Sequence, residues 1–233
     1  MIVCIAGKNN IAVDCLYYIL SFIEKEDICV VLNKSDTMKN TWQKSLGFFA
    51  LKENIEITTL QEVQEIKEII FLSLEFDQLL KPAKFNTNRL FNIHFSLLPE
   101  YKGMYTSLLP ILDGKEYSGV TLHKIDSGID TGDIIAQTQI DITALNCGEV
   151  YNKYLKYGTI LVCKNLHQIV NGNYKLSPQS AISSTYFSKR SIELPTISRL
   201  YVYMRPLSHT KKYSTTCSYD LITKGSQTIS QTY

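Results

Sequence analysis

The chain opens on an apolar run, IVCIA (2–6), followed by a polar turn, GKNN (7–10), and by IAVDCLYYILSFIEK (11–25), whose apolar positions recur at helical spacing. The alternation then repeats. DICVVLN (27–33) reads as a second strand, a helix centred on Trp42 follows, and ENIEITT (53–59) reads as a third strand. EIIFLSLE (68–75) and RLFNIHF (89–95) continue the series as short apolar runs between polar neighbours. Beyond Pro99 the pattern predicts a helix over 105–113, strands over 119–126 and 133–141, and a long helix over 148–170. Strands separated by helical segments imply a mainly parallel sheet, because parallel neighbours need crossovers and those crossovers cover both faces. The expected fold is α/β, a doubly wound, mainly parallel, Rossmann-type sheet over residues 1–185. After NGNYKLSP (171–178) the character changes. Residues 186–233, rich in Ser, Thr, Tyr and basic side chains, are expected to form a small C-terminal β-rich appendage, a hairpin region or a tail.

Composition narrows the functional classes. A chain of 233 residues, 45% of them hydrophobic, buries one substantial core. Its apolar runs are too short to cross a bilayer and no basic segment precedes a cleavable apolar one, so a cytoplasmic protein with no membrane partner is expected. The six cysteines are scattered without a CxxC pair, which fits reduced thiols better than a disulfide or zinc framework, and no metal is expected. A net charge of +2 is too small to argue for nucleic acid. From Tyr186 on, seven Lys or Arg stand against two acids, a surplus of +5, leaving −3 for the remainder. Such a basic end can help hold an anionic ligand or can be a solvated surface.

Two stretches carry candidate chemistry. In FNIHFSLLPEYKG (91–103), Asn92 and His94 share one side of a strand whose other side presents Phe91, Ile93 and Phe95. In a parallel sheet, ligands bind beyond the carboxyl ends of the strands, near the switch in strand order. A buried amide beside a buried imidazole needs partners, since an unmatched polar group costs ~1–3 kcal/mol. Either Asn92 bonds backbone and His94 is a satisfied core histidine, or the two belong to a reaction centre. The second stretch, IDSGIDTGDI (125–134), holds three aspartates among two glycines that let the loop fold tightly. Asp126 and Asp133 read as turn-capping carboxylates. Asp130, between the glycines, reads as a carboxylate directed inward to orient an imidazole and stabilise its charged form. His123 reads as a structural strand residue, and Tyr151, Tyr154 and Tyr157, three apart on the long helix, as a packing face.

Asn92-Ile-His94, then SLLPEYKG, then GVTLHKIDSGIDTGDII, in that order over residues 90–140, closely resemble the catalytic core of folate-dependent formyltransferases. The resemblance implies a formyltransferase-like fold and a catalytic trio of Asn92, His94 and Asp130. An amine attacks the formyl carbon of 10-formyltetrahydrofolate, the co-substrate; Asn92 donates to the developing oxyanion. His94 either takes the amine's proton or, as an imidazolium, stabilises the oxyanion, and Asp130 supports it. Folate contacts are implied at Leu74, Glu75, Phe76, Leu80, Asp126 and Ile129.

Within that family, AGKNNIAV (6–13) and FLSLEFDQLLKP (71–82) are most like the sugar N-formyltransferases that act on dTDP-linked amino-dideoxyhexoses. The implied acceptor is a nucleotide-linked aminosugar such as dTDP-4-amino-4,6-dideoxyglucose or a 3-amino analogue, in surface polysaccharide (lipopolysaccharide O-antigen) biosynthesis. Lys8, Asn9, Asn10, Pro99, Lys102, Gly103 and Tyr105 are then expected at the acceptor, and a homodimer is expected. Three alternatives stand beside this: a methionyl-tRNA or glycinamide ribonucleotide formyltransferase relative, a hydrolase using water as acceptor, or a catalytically impaired ligand-binding module. The last is prompted by the tail, where YFSKRSIELP (186–195) fits the family but the stretch after Arg205 lacks the usual Phe-Pro pattern.

Overall fold

The structure, a computed structural model, describes residues 1–191. In chain order it forms β1 (Ile2–Gly7), α1 (Asn9–Ile19), β2 (Ile28–Leu32), α2 (Leu46–Glu53), β3 (Glu56–Thr58), α3 (Leu60–Glu65), β4 (Ile69–Leu74) and β5 (Leu90–His94). There follow β6 (Lys102–Gly103), α4 (Leu109–Leu112), β7 (Tyr117–Lys124), β8 (Ile134–Asp141), α5 (Cys147–Asn171) and β9 (Tyr186–Phe187). Seven strands make one sheet in the order β3-β2-β1-β4-β5-β7-β8. The first five are parallel; β7 and β8 are antiparallel and close one side as a hairpin against β5. The expected mainly parallel α/β sheet is therefore present. The chain leaves β1 toward β2 and β3, then returns to the far side of β1 with β4. The switch in strand order, and the crevice that accompanies it, lies between the carboxyl ends of β1 and β4.

Strand alternation sorts side chains into two cores. Val3, Ile5, Ile70, Leu72, Leu74, Phe91 and Ile93 pack on one face with Ile11, Leu16, Val150 and Tyr154 of α1 and α5. Cys4, Ala6, Ile69, Phe71 and Leu90 face the other way, with Val63 of α3 and Phe85. This period of two places Asn92 and His94 opposite the α1 and α5 face, as their spacing predicts.

Several elements depart from the sequence pattern. The helix expected over 11–25 ends at Ile19, where the Ser21 hydroxyl donates to the Tyr18 carbonyl at 2.6 Å and Phe22 and Ile23 pack back on the core from a turn. No helix centres on Trp42, which is 55% exposed. There Asp36 organises a loop, accepting from the Met38 and Gly47 N–H groups and the Ser45 hydroxyl, and Ser45 caps α2 three residues downstream of Trp42. Helix α3, not expected, is started by a capping box in which Thr59 accepts from the Glu62 N–H and Glu62 from the Thr59 N–H. Of the β-rich appendage expected over 186–233, the described part contributes β9, which pairs with β6; residues 192–233 lie outside the described residues. Cys4, Cys15, Cys29 and Cys163 are free thiols. Among the described residues, no helix is long and apolar enough to cross a membrane, and no cluster of His, Cys, Asp or Glu could hold a metal ion.

Candidate active site

Strand β5 delivers His94 to the sheet's carboxyl edge, and the SLLPEYKG turn folds back over it. The turn is pinned by the Ser96 hydroxyl donating to the Glu100 carbonyl at 2.7 Å, and by Gln137 Nε2 donating to the Leu98 carbonyl at 2.9 Å. It brings the Tyr101 carbonyl 2.8 Å from His94 Nε2, while Asp130 Oδ2 stands 3.4 Å from Nδ1. A carbonyl only accepts, so Nε2 carries a proton; with a carboxylate at Nδ1, an imidazolium satisfies both neighbours. His94 is buried, and the Asp130 side chain is 13% exposed.

Asp130 holds more than the imidazole. Its Oδ2 accepts from the Gly103 N–H at 2.9 Å, and its Oδ1 lies 3.4 Å from Asn92 Nδ2 and 3.6 Å from His123 Nε2. Burial by itself would raise the carboxyl, but the charge on His94, with the Gly103 N–H beside it, outweighs it and holds Asp130 well below the usual carboxylate range. The residue sits at φ 54°, in the left-handed region that an aspartate adopts more readily than most. Gly132 then passes so close to β7 that a Cβ there would fall 2.0 Å from the Lys124 carbonyl oxygen. Gln179 straps the loop from outside, donating through Nε2 to the Asp130 and Gly132 carbonyls at 2.9 and 2.8 Å.

His123 is part of this cluster as well as a strand residue. Its Nδ1–H donates to the Lys124 carbonyl at 2.7 Å, which leaves Nε2 as the acceptor for Asn92 Nδ2 at 3.1 Å. The Asn92 amide is thereby turned with its N–H groups toward the His94 and Asp130 side. Nothing in the strand pattern separates His123 from an ordinary buried residue; register pairing of Asn92 with His123 across β5 and β7 is what joins them.

A second polar cluster occupies the switch point. Gly7 approaches β4 so closely that a Cβ would lie 1.9 Å from the Leu74 oxygen, and the two chains then turn together: Asn9 has φ 66° and Glu75 φ 60°. Asn9 Nδ2 donates to Glu75 Oε2 and, at 2.6 Å, to the Tyr151 hydroxyl, while that hydroxyl donates to Glu75 at 2.9 and 2.8 Å. Asn33 closes the back, donating to the Glu75 carbonyl at 2.8 Å. Burial pushes the Glu75 carboxyl up, against the opposing charge of Lys8 and the bonds from Tyr151 and Asn9. The tyrosine expected only to pack thus also carries a polar contact, its ring lying 6.0 Å from that of Phe95.

The remaining expected contacts divide. Phe76, Leu80 and Ile125 pack against the cluster on the Leu90 face, so they share a side of the sheet while Glu75 is drawn to the other. Asp126 caps its own loop, accepting from the Gly128 N–H at 3.1 Å and the Thr131 hydroxyl at 2.6 Å, and Ile129 is exposed. Lys8 stands at the amino end of α1; Asn10 does not cap that helix but accepts from the Lys44 N–H at 3.2 Å. Pro99 lies in the turn, Lys102 is buried with its ammonium 3.1 Å from the Ser184 hydroxyl, Gly103 serves Asp130, and the Tyr105 hydroxyl donates to the Lys189 carbonyl at 2.8 Å.

Known proteins resemble this chain in sequence and fold. The N-formyltransferase from Helicobacter canadensis, solved in complex with folinic acid and dTDP-3-aminofucose, is 48% identical and superposes with a TM-score of 0.81 over 83% of this chain and 73% of its own. WlaRD, a sugar 3N-formyl transferase solved with dTDP and 5-N-formyl-THF, is 51% identical, with a TM-score of 0.81 over 83% of this chain and 72% of its own. The methionyl-tRNA formyltransferase of Kosmotoga olearia is 33% identical over 132 residues, 55% of this chain and 42% of its own length. The chain spans about half the length of the curated relatives it matches. The formyl transferase family's sequence model matches residues 24–164. Because that match runs from β2 through most of α5 and takes in every strand that positions Asn92, His94 and Asp130, the chain belongs to the formyl transferase family.

Proposed function

We propose that the protein transfers a formyl group from 10-formyltetrahydrofolate to the amine of a dTDP-linked amino-dideoxyhexose, with a 3-amino sugar favoured over a 4-amino one. The observation that carries this reading is the convergence of Asn92, His94 and Asp130 at the sheet edge, with 3.4 Å between His94 and Asp130. Likeness to two sugar N-formyltransferases near half identity supports the acceptor class.

Each residue has a part in the balance of the step. The amine nitrogen forms a bond to the formyl carbon and the bond from that carbon to the folate nitrogen breaks. Negative charge builds on the formyl oxygen meanwhile, and an N–H of Asn92, oriented by His123, donates to it. The His94 imidazolium, paired with Asp130, supplies positive charge beside that oxygen. As that bond breaks, the His94 imidazolium gives a proton to the departing folate nitrogen, and the neutral imidazole so formed takes the proton lost by the amine, which restores the imidazolium beside Asp130. Phe76 and Leu80 offer an apolar wall on the face suited to the folate ring, and Lys8, Lys102, Gly103 and Tyr105 border the acceptor. The same reading takes the working enzyme to be a cytoplasmic homodimer whose product feeds surface polysaccharide assembly; light scattering tests the dimer.

The direct test incubates the protein with 10-formyltetrahydrofolate and a panel of dTDP- and UDP-linked 3-amino and 4-amino hexoses, followed by mass spectrometry of the sugar nucleotide. One strongly preferred dTDP-3-aminohexose is the expected result. Formate release at the same rate without any acceptor would replace transfer by hydrolysis, and no added formyl on any nucleotide sugar overturns the reading.

A further inference from the structure

The sheet sorts side chains by face, and Glu75 is out of place in that sorting. Leu74 points to the α1 and α5 face, so a strand continued regularly would send Glu75 to the opposite side, with Phe76, Leu80 and the folate expectation. Its φ of 60° breaks the alternation instead and carries the carboxylate to Asn9 on α1 and Tyr151 on α5. A bulky residue in the left-handed region is strained, and here it meets a second left-handed residue, Asn9, whose side chain bonds to it. Strain concentrated in a pair of bonded side chains, at the crevice where the strand order switches, points to a ligand rather than to packing alone.

The chemistry of the carboxylate limits what that ligand presents. When ionised it only accepts hydrogen bonds. Oε2 receives Asn9 and shares the Tyr151 hydroxyl; among the described residues Oε1 has that shared hydroxyl alone, at 2.9 Å, and so keeps a lone pair for a further donor. Burial disfavours the charge, so an added donor strengthens the site. The donor is not the reacting amine: a carboxylate beside it would hold it as an ammonium, which has no lone pair to attack with. A hydroxyl is neutral, and the trio stands at the same edge of the sheet, since Ser73, two residues before Glu75, pairs in register with Asn92.

We propose that the Glu75 carboxylate, held by Asn9 and Tyr151 across the switch point, is a specificity-determining group that accepts a hydrogen bond from a sugar hydroxyl neighbouring the acceptor's reacting amine. This rests on the aminosugar reading given above and assigns Glu75 to the acceptor rather than to the folate.

The experiment titrates wild type and Glu75→Gln with a dTDP-3-aminohexose and with its two analogues lacking one or the other flanking hydroxyl, and repeats the series for the folate with 5-formyltetrahydrofolate. Loss of a hydrogen bond to a charged group corresponds to roughly 10- to 100-fold in affinity. In wild type, one of the two deoxy analogues is expected to bind about that much more weakly than the parent, whereas Glu75→Gln binds parent and analogue alike and keeps its folate affinity. Comparison of parent and analogues on wild type needs no variant, so the outcome stands even if the substitution unfolds the protein. Equal binding of all three sugars by wild type overturns the proposal, as does a Glu75→Gln variant that weakens only the folate. If wild type transfers formyl to the parent sugar while these signs are missing, Glu75 falls and the aminosugar reading survives. If wild type binds no nucleotide aminosugar, both fall.

Discussion

Two carboxylates stand at the same edge of the same sheet, and their surroundings drive them in opposite directions. Asp130 faces two imidazoles and a backbone N–H, and is held well below the usual carboxylate range; Glu75 faces an amide and a phenol, with Lys8 as the opposing charge, and is pushed up. Burial acts on both in the same sense. What differs is the balance: at Asp130 the opposing charge and bonds outweigh burial, and at Glu75 the charge of Lys8 and the bonds from Tyr151 and Asn9 do not. The first arrangement keeps a carboxylate charge in place beside His94 and Asn92. The second is the carboxylate proposed above to accept from a sugar hydroxyl, with Asn9 and Tyr151 already bonded to it.

The comparison is broken most severely by removing the charged side. His94→Ala and Asp130→Asn are each expected to lower kcat by about 100- to 10,000-fold, and Asn92→Ala by about 100- to 1,000-fold. Folate and acceptor affinities should stay within a few-fold, as read by calorimetry. A comparable loss of affinity in these variants would assign the trio to binding instead of chemistry. His123→Phe comes next. It takes away the acceptor that orients Asn92, and an amide left unmatched there corresponds to roughly 10- to 100-fold in kcat. His123→Gln, whose side-chain oxygen can accept the same N–H, should recover part of that rate; equal rates for the two variants would mean that His123 only fills space.

How far the two regions were legible in the sequence follows from the distances their contacts span along the chain. Asn92 and His94 announce themselves by alternation within one strand, and Asp130 by its place between two glycines, so local pattern finds all three. The partners that complete them lie farther off: His123 reaches Asn92 only through strand pairing, and Gln179 reaches the Asp130 carbonyl from 49 residues away. The resemblance places Glu75 at the folate together with its chain neighbours Phe76 and Leu80, and adjacency in sequence is what a left-handed residue overrides. Its true partners are 66 residues before it and 76 after it, and no local spacing marks such a meeting. The Trp42 helix failed for the converse reason. A large aromatic carries much weight in a periodic pattern, but the carboxylate of Asp36 satisfies more backbone and hydroxyl donors there than a helix start at that point would, and the aromatic stays exposed.

The loop that holds Asp130 offers a smaller, sharper test. Gln179→Ala deletes two side-chain bonds to backbone carbonyls, each of net worth ~1 kcal/mol, so unfolding free energy from urea melts should fall by about 1–2 kcal/mol. Because the Gly103 N–H still holds the carboxylate, kcat is expected to drop less than 10-fold. A fall as large as that of Asp130→Asn would show that the strap, not the carboxylate's own partners, sets its position.

The smallest effect separates the two carboxylates by the sign of their pH dependence. Glu75 has a folded pKa above its ordinary value of 4.5. Below that value it is protonated in both states and contributes no difference. As the pH rises past it, the unfolded chain ionises first, so the group costs the native state stability until the pH passes the folded value, and the cost is constant thereafter. Glu75→Gln does not titrate, so the stability of the variant relative to wild type should increase with pH across that window and then level off. Asp130→Asn should do the reverse in a different range. The folded pKa of Asp130 is depressed, so its contribution is complete above the ordinary value of 3.8 and lost as the pH falls from there toward the folded one; this variant's deficit should be flat from neutrality down to about 3.8 and shrink below it. Urea melts of the three proteins at matched pH steps read both trends. A Glu75→Gln difference that shrinks as pH rises would mean that Asn9, Tyr151 and Lys8 together outweigh burial, and the two carboxylates would then be of one kind after all.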